Sequence, residues 1–453
     1  MELSASIMEL LYHYIWRHRM VGPRLLTCDS RPLEVLWPGR HNEDAGPDFQ
    51  GARLRIDGQE WVGNVEIHVK ASDWYRHGHD SDPAYDSVAL HVVAVDDVRI
   101  LRRDGSEIPQ VEIVLPQDFY MTYACLAAEM KGVRCSRMIA QIPPLVRTDW
   151  LETLAMERMH AKASRLLEYQ SQLQGDWEQA VFTLFARGLG FGLNSQPFEM
   201  LAKNLPLKYV YHHADDLLQV EALLFGQAGM LDSSRNIFDE YYQLLCREYA
   251  FLSRKYVLHP MRGDLWKYAR TRPQNFPHRR IALLASALHH GVRFTDSLIS
   301  ANADIDALLE LFDWHLEGYW ANHAAFGAEG GEISAPRNLS ESSRRLLIIN
   351  VAAPFYCAHA RISGDFELAE RGANMLTRLQ PERNSIITRW KEAGLEADDA
   401  LRSQALLHLR NEYCDRDRCL DCRFGHYLLR SRAGSTRFFK PGEEKNQQSL
   451  LSL

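Results

Sequence analysis

The sequence has no long apolar run, no low-complexity stretch and no strong excess of either charge. Without roughly 20 consecutive apolar residues, a membrane-spanning helix is not expected. The 453 residues carry a formal net charge of −7, so the chain as a whole shows no electrostatic preference for nucleic acid or membrane. G-x-S-x-G, Walker-type and H-E-x-x-H motifs are missing, which removes the most direct indications of a serine hydrolase, a P-loop NTPase or a zincin. The first residues do not resemble a signal peptide, so we expect a cytoplasmic protein.

The pattern of apolar residues changes near residue 140. Residues from about 30 to 115 form short strand-like segments, two of them joined by the hairpin signal Asp57-Gly58. From Pro144 apolar residues recur with helical spacing. The first such stripe contains Leu151, Leu154, Ala155, Met159, Ala163 and Leu166. We predict an α+β protein: an α/β domain with a mixed β-sheet at 1–140, a large all-α domain at 141–405, a Cys-rich metal-binding knuckle at 406–430 and a mobile tail at 431–453.

One strand of the first domain carries reactive side chains on a single face. The segment "GNVEIHVKASDWYRHGHDSD" contains Glu66, His68 and Lys70 at alternate positions. Alternate residues of a strand point the same way, so these three side chains share a face. Asp48, in "GPDF", begins the preceding strand, and a hairpin would bring its carboxylate beside that face.

Such a set suits metal-assisted hydrolysis of a phosphodiester. Asp48 and Glu66 would hold Mg²⁺ or Mn²⁺ through oxygen ligands. His68 would be a ligand or base, and Lys70 would stabilise negative charge in the transition state. The main prediction is therefore a metal-dependent nuclease or phosphodiesterase with nucleic acid as its partner.

Two alternatives remain open. His77 and His79, with Asp82 nearby, form a candidate set for a catalytic metal that favours Zn²⁺ or Mn²⁺, which would make the protein a zinc-dependent hydrolase. The polar face could instead be a solvated strand face in a non-catalytic scaffold that binds nucleic acid or protein, with only a structural metal.

The predicted knuckle contains three closely spaced cysteines. Cys414, Cys419 and Cys422 are spaced C-x4-C-x2-C, and His426 follows four residues later. Three thiolates and an imidazole can complete a tetrahedral zinc site. An iron–sulfur cluster with its fourth cysteine elsewhere is the alternative. Lys and Arg outnumber Asp and Glu around this segment, which favours contact with a polyanion.

The sequence shows two resemblances of different extent. Pro47-Asp48 and Glu66…Lys70 resemble the PD-(D/E)XK nucleases, which implies a restriction-endonuclease-like sheet, although His68 stands where that superfamily usually has an acid. The order of Cys28 and the three C-terminal cysteines is similar to that of iron–sulfur RecB-like nucleases. Across most of the chain, "GPDF", "GNVEIHVKASDW", "EALLFGQAG", "RPQNFP" and the C-terminal cysteines resemble a family of uncharacterised bacterial proteins, a domain of unknown function. That resemblance implies a full-length member but no activity, substrate or catalytic residue.

Overall fold

The computed structural model describes residues 4–21, 25–42, 44–127, 132–232, 237–269, 271–327 and 335–433. The chain forms two compact units. The sheet unit comprises Met1–Trp150, Thr388–Leu395 and Leu409–Leu453, and the helical unit comprises Leu151–Ile387 and Glu396–His408. The predicted N-terminal mixed sheet followed by a large helical region is confirmed.

The C-terminal segment is divided between the units. The segment predicted as a knuckle, 406–430, belongs to the helical unit up to His408 and to the sheet unit from Leu409 onward. Of the predicted tail at 431–453, the residues from 434 lie outside the described part of the chain. The cysteines of this segment are therefore packed within the same unit as the sheet.

In the described part of the sheet unit, seven strands form one mixed sheet. The strands are β1 (Leu25–Leu26), β2 (Pro32–Trp37), β3 (Arg40–His41), β4 (Phe49–Ile56), β5 (Gln59–Lys70), β6 (Val88–Val95) and β7 (Gln110–Glu112). They lie in the order β1-β2-β4-β5-β6-β7, and β3 pairs separately with β4. The pairs from β1 to β5 are antiparallel, whereas β5–β6 and β6–β7 are parallel. The change from antiparallel to parallel pairing therefore occurs at β5, the strand that carries the reactive residues.

The predicted hairpin joins β4 to β5. Asp57 and Gly58 have φ of +48° and +79°, the left-handed values that a tight two-residue hairpin turn needs. Beside β5, strand β6 is buried along most of its length, as expected for a continuous apolar strand covered on both faces. The hairpin register and the buried neighbour together hold the central part of β5 in place.

Together with several short 3-10 helices, eighteen α-helices occur in the described residues. They are α1 (Ala5–Arg17), α2 (Asp73–Arg76), α3 (Gln117–Ala127), α4 (Pro144–Gln172), α5 (Trp177–Leu189), α6 (Ser195–Asn204), α7 (Leu207–Tyr211), α8 (Leu217–Gln227), α9 (Glu240–Tyr256), α10 (Pro277–His289), α11 (Phe294–Ala301), α12 (Ile305–Leu311), α13 (Glu341–Leu347), α14 (Ala353–Ser363), α15 (Phe366–Arg378), α16 (Ser385–Glu392), α17 (Ala400–His408) and α18 (Arg423–Ala433). Two π-helical segments also occur: Ile348–Ala352 lies between α13 and α14, and Leu409–Cys414 directly follows α17.

The helical unit has an apolar core of its own. The predicted stripe on α4 is buried at every position from Leu151 to Leu166. Buried aromatic side chains such as Phe185, Phe225 and Trp320 fill the same core. One helical run, Glu341–Ser363, has the length and composition of a membrane span, but 61% of its apolar window is buried within the structure. That burial is typical of a core helix.

Candidate metal centre

A hairpin places the two predicted carboxylates side by side. Asp48 directly precedes β4, and Glu66 lies in β5. The backbone N–H of Asp48 donates a hydrogen bond to Glu66 Oε2 over 3.1 Å. In return, the backbone N–H of Ile67 donates to Asp48 Oδ2 over 2.9 Å. The Glu66 carboxylate is therefore held by the backbone at Asp48, and the Asp48 carboxylate by the backbone next to Glu66.

Three imidazoles converge beside Glu66. His68 follows it on the same face of β5, whereas His77 and His79 come from the segment after α2. One ring nitrogen of each histidine lies within 4.8 Å of the other two, and His68 Nε2 is 3.1 Å from His77 Nδ1. Glu66 Oε1 is 3.3 Å from His79 Nε2 and 3.6 Å from His68 Nε2. Three ring nitrogens thus lie close together, and Glu66 Oε1 lies beside two of them. A metal ion could take its ligands from this set.

The connection after β5 explains how His77 and His79 return to the strand. Asp73 accepts a hydrogen bond from the backbone N–H of Lys70 over 3.2 Å, which closes the chain into α2. Gly78, between the two histidines, has a φ of +76°, a conformation that glycine adopts without steric cost. His79 then stacks on Tyr85 with ring centroids 3.7 Å apart. This stacking fixes the His79 ring against Glu66.

A fourth histidine orients the first. His91, on the neighbouring strand β6, has its Nε2 2.8 Å from His68 Nδ1. The exposed fractions of His68 and His91 are 1% and 0%. Burial, together with the neighbouring histidines, lowers the pKa of His68 to about 2, and burial lowers the pKa of His91 to about 3. Both rings are therefore neutral near pH 7, the state in which an imidazole can bind a metal.

Glu66 shows the opposite response to burial. Its side chain is 4% exposed, and burial raises its pKa although nearby His79 acts to lower it. A carboxylate removed from water is costly unless a cation compensates it. The centre therefore combines a neutral nitrogen donor at His68 with a carboxylate that has no lysine or arginine partner among the residues that the structure describes.

His13 adds a feature that the sequence did not predict. It lies on α1, and its Nε2 is 3.2 Å from Asp48 Oδ2. Burial lowers the pKa of His13, but the adjacent carboxylate of Asp48 outweighs this effect and the net shift is upward. The sequence around His13 shows only an amphipathic helix, so the contact depends on how α1 packs against the sheet.

Two residues proposed from the sequence lie apart from these groups. Lys70 is exposed at the end of β5, and its charge acts on Asp97. Among the described residues, Lys70 Nζ has no hydrogen bond or ion pair with Asp48 or Glu66. Asp82 is exposed and caps a short 3-10 helix by accepting a hydrogen bond from the backbone N–H of Ala84 over 2.9 Å. The alternation of β5 placed Lys70 on the correct face, but the strand ends before its amine can reach the carboxylates.

A groove rich in arginine begins next to His13. We call it the arginine groove, and it is lined by Arg17, Arg19, Trp37, Arg40 and His41 among others. The ring centroids of His41 and His13 are 5.6 Å apart. Trp37 is 52% exposed, and Arg19 lies over its ring at 5.7 Å. A cationic groove with an exposed aromatic ring thus lies next to His13, the residue that contacts Asp48.

The C-terminal cysteines meet an additional cysteine. Cys414, Cys419 and Cys422 line one cavity together with Cys135. His426 lies elsewhere, with its Nδ1 2.6 Å from the hydroxyl oxygen of Tyr14. The sequence did not single out Cys135, because it is a lone cysteine far from the other three along the chain.

The comparison with known families gives one match. The model of a family described as "Protein of unknown function (DUF2851)" matches residues 9–385. The chain therefore belongs to this family, in agreement with the resemblance seen in the sequence. The match brings no link to the PD-(D/E)XK nucleases. No curated protein and no solved structure matches the chain.

Proposed function

We propose that the protein is a metal-dependent hydrolase of phosphodiesters, with its metal held by Glu66, His68, His77 and His79. The observation that carries this proposal is the convergence of three ring nitrogens within 4.8 Å of one another beside Glu66 Oε1. The buried His68 ring, whose pKa is lowered to about 2 by burial and the neighbouring histidines, faces the exposed His77 and the half-buried His79, and a shared cation would engage all three rings at once.

The donor set favours a particular class of metal. Three imidazoles and one carboxylate suit Zn²⁺ or Mn²⁺, whereas Mg²⁺ prefers oxygen ligands. Mn²⁺ was among the metals expected for the carboxylate pair, and Zn²⁺ for the histidines. The proposal therefore joins the two sequence-based hypotheses, with the histidines as the principal ligands.

Asp48 has a position suited to proton transfer beside the proposed metal site, and His13 lies next to Asp48. A bound metal would lower the pKa of water and polarise the phosphate. Asp48, adjacent to Glu66, would accept the proton of the attacking water. His13, whose buried Nε2 is 3.2 Å from Asp48 Oδ2, would orient that carboxylate, and the leaving oxygen would take its proton from solvent. The phosphorus–oxygen bond of the diester breaks, and a phosphomonoester and an alcohol are released.

The arginine groove supports single-stranded nucleic acid as the substrate. Arg17, Arg19 and Arg40 would neutralise phosphates, and exposed Trp37 would stack on a base. Asp48 directly precedes β4 and Glu66 lies in its antiparallel partner β5, which supports the arrangement of carboxylates proposed from the PD-(D/E)XK resemblance. The placement of Lys70 departs from that pattern, so its role needs a separate test.

The experiment uses full-length protein with Zn²⁺ or Mn²⁺ and labelled single-stranded DNA, single-stranded RNA, duplex DNA and bis-p-nitrophenyl phosphate. We expect Glu66→Gln and His79→Ala to reduce cleavage on the order of 100-fold or more. His160→Ala is the matched control, because His160 is an exposed histidine on α4. It should cleave like the wild type.

Two results would overturn the proposal. One is the absence of cleavage with every substrate and both metals. The other is salt-dependent nucleic-acid binding without cleavage that survives both substitutions, which would identify a binding scaffold instead.

A further inference from the structure

Four cysteines from three separate segments meet in the sheet unit. Cys135 precedes the 3-10 helix Ser136–Gln141, Cys414 ends the π-helix, and Cys419 and Cys422 lie in the turn before α18. All four line one cavity, and all eight cysteines of the chain are free. Half of the cysteines of the protein are therefore gathered, still reduced, around one space.

The surroundings of the four thiols are mainly apolar. Leu126, Trp390, Leu409 and Phe424 line the same cavity. Cys419 Sγ approaches the carbonyl oxygen of Leu126 at 3.6 Å, a weak contact for a thiol. Apolar packing alone does not require cysteine at four positions, because alanine or valine fills such a space equally well. Four cysteines that line one cavity instead offer sulfur donors to a thiophilic metal. No three of their sulfur atoms lie within 4.8 Å of one another, so a single zinc ion, with zinc–sulfur distances of about 2.3 Å, would have to draw them closer together than an iron–sulfur cluster would.

The charges around the cavity suit metal-bound thiolates. A divalent ion with four thiolates retains two negative charges. Arg134 lines the cavity and acts electrostatically to stabilise the Cys419 thiolate, and Arg410 does the same for Cys414. Each guanidinium also pairs with an aspartate, Arg134 with Asp417 and Arg410 with Asp415, so the two arginines would balance only part of that charge.

The turn that carries Cys419 and Cys422 is held by close backbone packing. A Cβ at position 425 would lie 1.9 Å from the carbonyl oxygen of Cys419, so only glycine fits there. The backbone N–H groups of Phe424 and Gly425 are directed at the Cys422 thiol. Amide groups that donate to a coordinating sulfur are a common outer support of metal–thiolate sites. The sulfur positions are therefore fixed by the backbone.

We propose that Cys135, Cys414, Cys419 and Cys422 bind a thiophilic metal centre, either a single zinc ion or an iron–sulfur cluster, and that Cys135 is the fourth ligand. His426, which is engaged by Tyr14, and Cys28, which is exposed near Asp96, are not ligands. The centre connects the segment after α3 to the C-terminal segment of the same unit. This proposal does not depend on the proposed hydrolase function.

The first test measures the metal bound to full-length protein purified without oxygen. A His79→Ala background removes a ligand of the histidine centre, so that the remaining metal reports on the cysteines. We expect about one zinc ion, or iron with matching sulfide and visible absorbance, per chain. Cys135→Ser should lower bound metal at least tenfold, whereas the matched controls Cys28→Ser and His426→Ala should retain it. A chain without either metal, or retention by Cys135→Ser with loss in His426→Ala, would overturn the proposal.

A second measurement avoids the risk that Cys135→Ser fails to fold. Maleimide labelling of the native wild-type chain, followed by peptide mapping, reports the reactivity of each cysteine. A chelator strong enough to remove the metal should increase labelling of the four proposed ligands. Cys246 and Cys357, which are buried in the helical unit, are matched controls whose labelling should not change. If the chelator does not change the labelling of the four proposed ligand cysteines, the proposal is contradicted.

Discussion

The helical unit and the sheet unit both bury polar side chains, but with different partners. In the helical unit, Arg279 is 1% exposed and donates hydrogen bonds to the backbone carbonyls of Trp320, His323 and Pro336 over 2.9, 3.0 and 2.7 Å. Every partner of this buried guanidinium comes from the protein itself. Such a group stabilises the fold and needs no ligand.

Two sets of side chains in the sheet unit instead lie near groups of the same kind. Buried His68 meets two other imidazoles beside Glu66, and Cys135 lines one cavity with three other cysteines. Two neutral imidazoles can pair as donor and acceptor, and thiols interact with one another only weakly, whereas a metal ion satisfies several lone pairs at once. The comparison teaches that burial alone does not identify a site. What identifies it is the convergence of like donors.

The largest expected effect is a loss of stability on replacing Arg279, whose guanidinium is hydrogen-bonded to three backbone carbonyl groups. Arg279→Met would leave three buried carbonyl groups without their donor, so we expect a loss of at least about 3 kcal/mol in the free energy of unfolding of the helical unit. Urea denaturation checks this value. Arg402→Met is the control, because the Arg402–Asp398 ion pair is largely exposed, and its loss should cost less than about 1 kcal/mol. Equal losses of unfolding free energy in the two variants would show that the buried Arg279 hydrogen bonds contribute no more than an exposed ion pair.

The two units should respond to pH in opposite directions. Glu221, in the helical unit, is 2% exposed, and burial raises its pKa to about 7 despite hydrogen bonds from Tyr241 and Trp320. Since the folded state holds this proton more tightly, the stabilisation is complete below about pH 4.5 and is lost as the pH rises through 7, a change of about 3 kcal/mol. Glu221→Gln should remove that dependence in denaturation curves measured between pH 5 and 8.

In the metal-free sheet unit, stability is expected to depend on pH in the opposite direction. The pKa of His91 falls from 6.5 to about 3 on folding, so its stabilisation is present above pH 6.5 and declines as the pH falls towards 3. Between pH 6.5 and 5 the decline amounts to about 2 kcal/mol. Chelator-treated His91→Phe should lose stability less steeply on acidification than the wild type. Parallel curves for the two proteins would show that His91 is not buried in its neutral form.

A smaller effect should appear in metal affinity. His91 orients His68 through the 2.8 Å contact between their rings, and loss of such an outer partner typically weakens metal binding about 10- to 100-fold. We expect His91→Phe to show this loss in zinc titrations against a competing chelator. His160→Ala should bind zinc like the wild type. Unchanged affinity in His91→Phe would place the metal away from His68.

The smallest effect is expected at Lys70. Because Lys70 is exposed and acts on Asp97, Lys70→Ala should change phosphodiester cleavage by less than about threefold. A loss of about 100-fold or more, as large as that expected for Glu66→Gln, would instead restore the lysine to the role implied by the PD-(D/E)XK resemblance. Rates measured under identical metal conditions decide between these outcomes.

Local patterns predicted much of the framework. The Asp57-Gly58 turn and the alternation along β5 indicated the hairpin on which Asp48 and Glu66 meet, and the apolar stripe on α4 indicated a buried helix. These features depend on neighbours in sequence, where turn chemistry and side-chain periodicity are decisive. His13 and Cys135 could not be found in the same way, because their partners are distant along the chain.

The sequence by itself determined which chemical groups lie on β5 and in the C-terminal segment, since strand alternation and close cysteine spacing act over a few residues. Only the tertiary structure decided which of them meet. The turn at Gly78 brings His77 and His79 back to His68, the end of β5 leaves Lys70 exposed, and packing of the sheet unit adds Cys135 to the C-terminal cysteines. The physical reason is that donor groups from distant segments converge through packing and backbone hydrogen bonds, which no local pattern encodes.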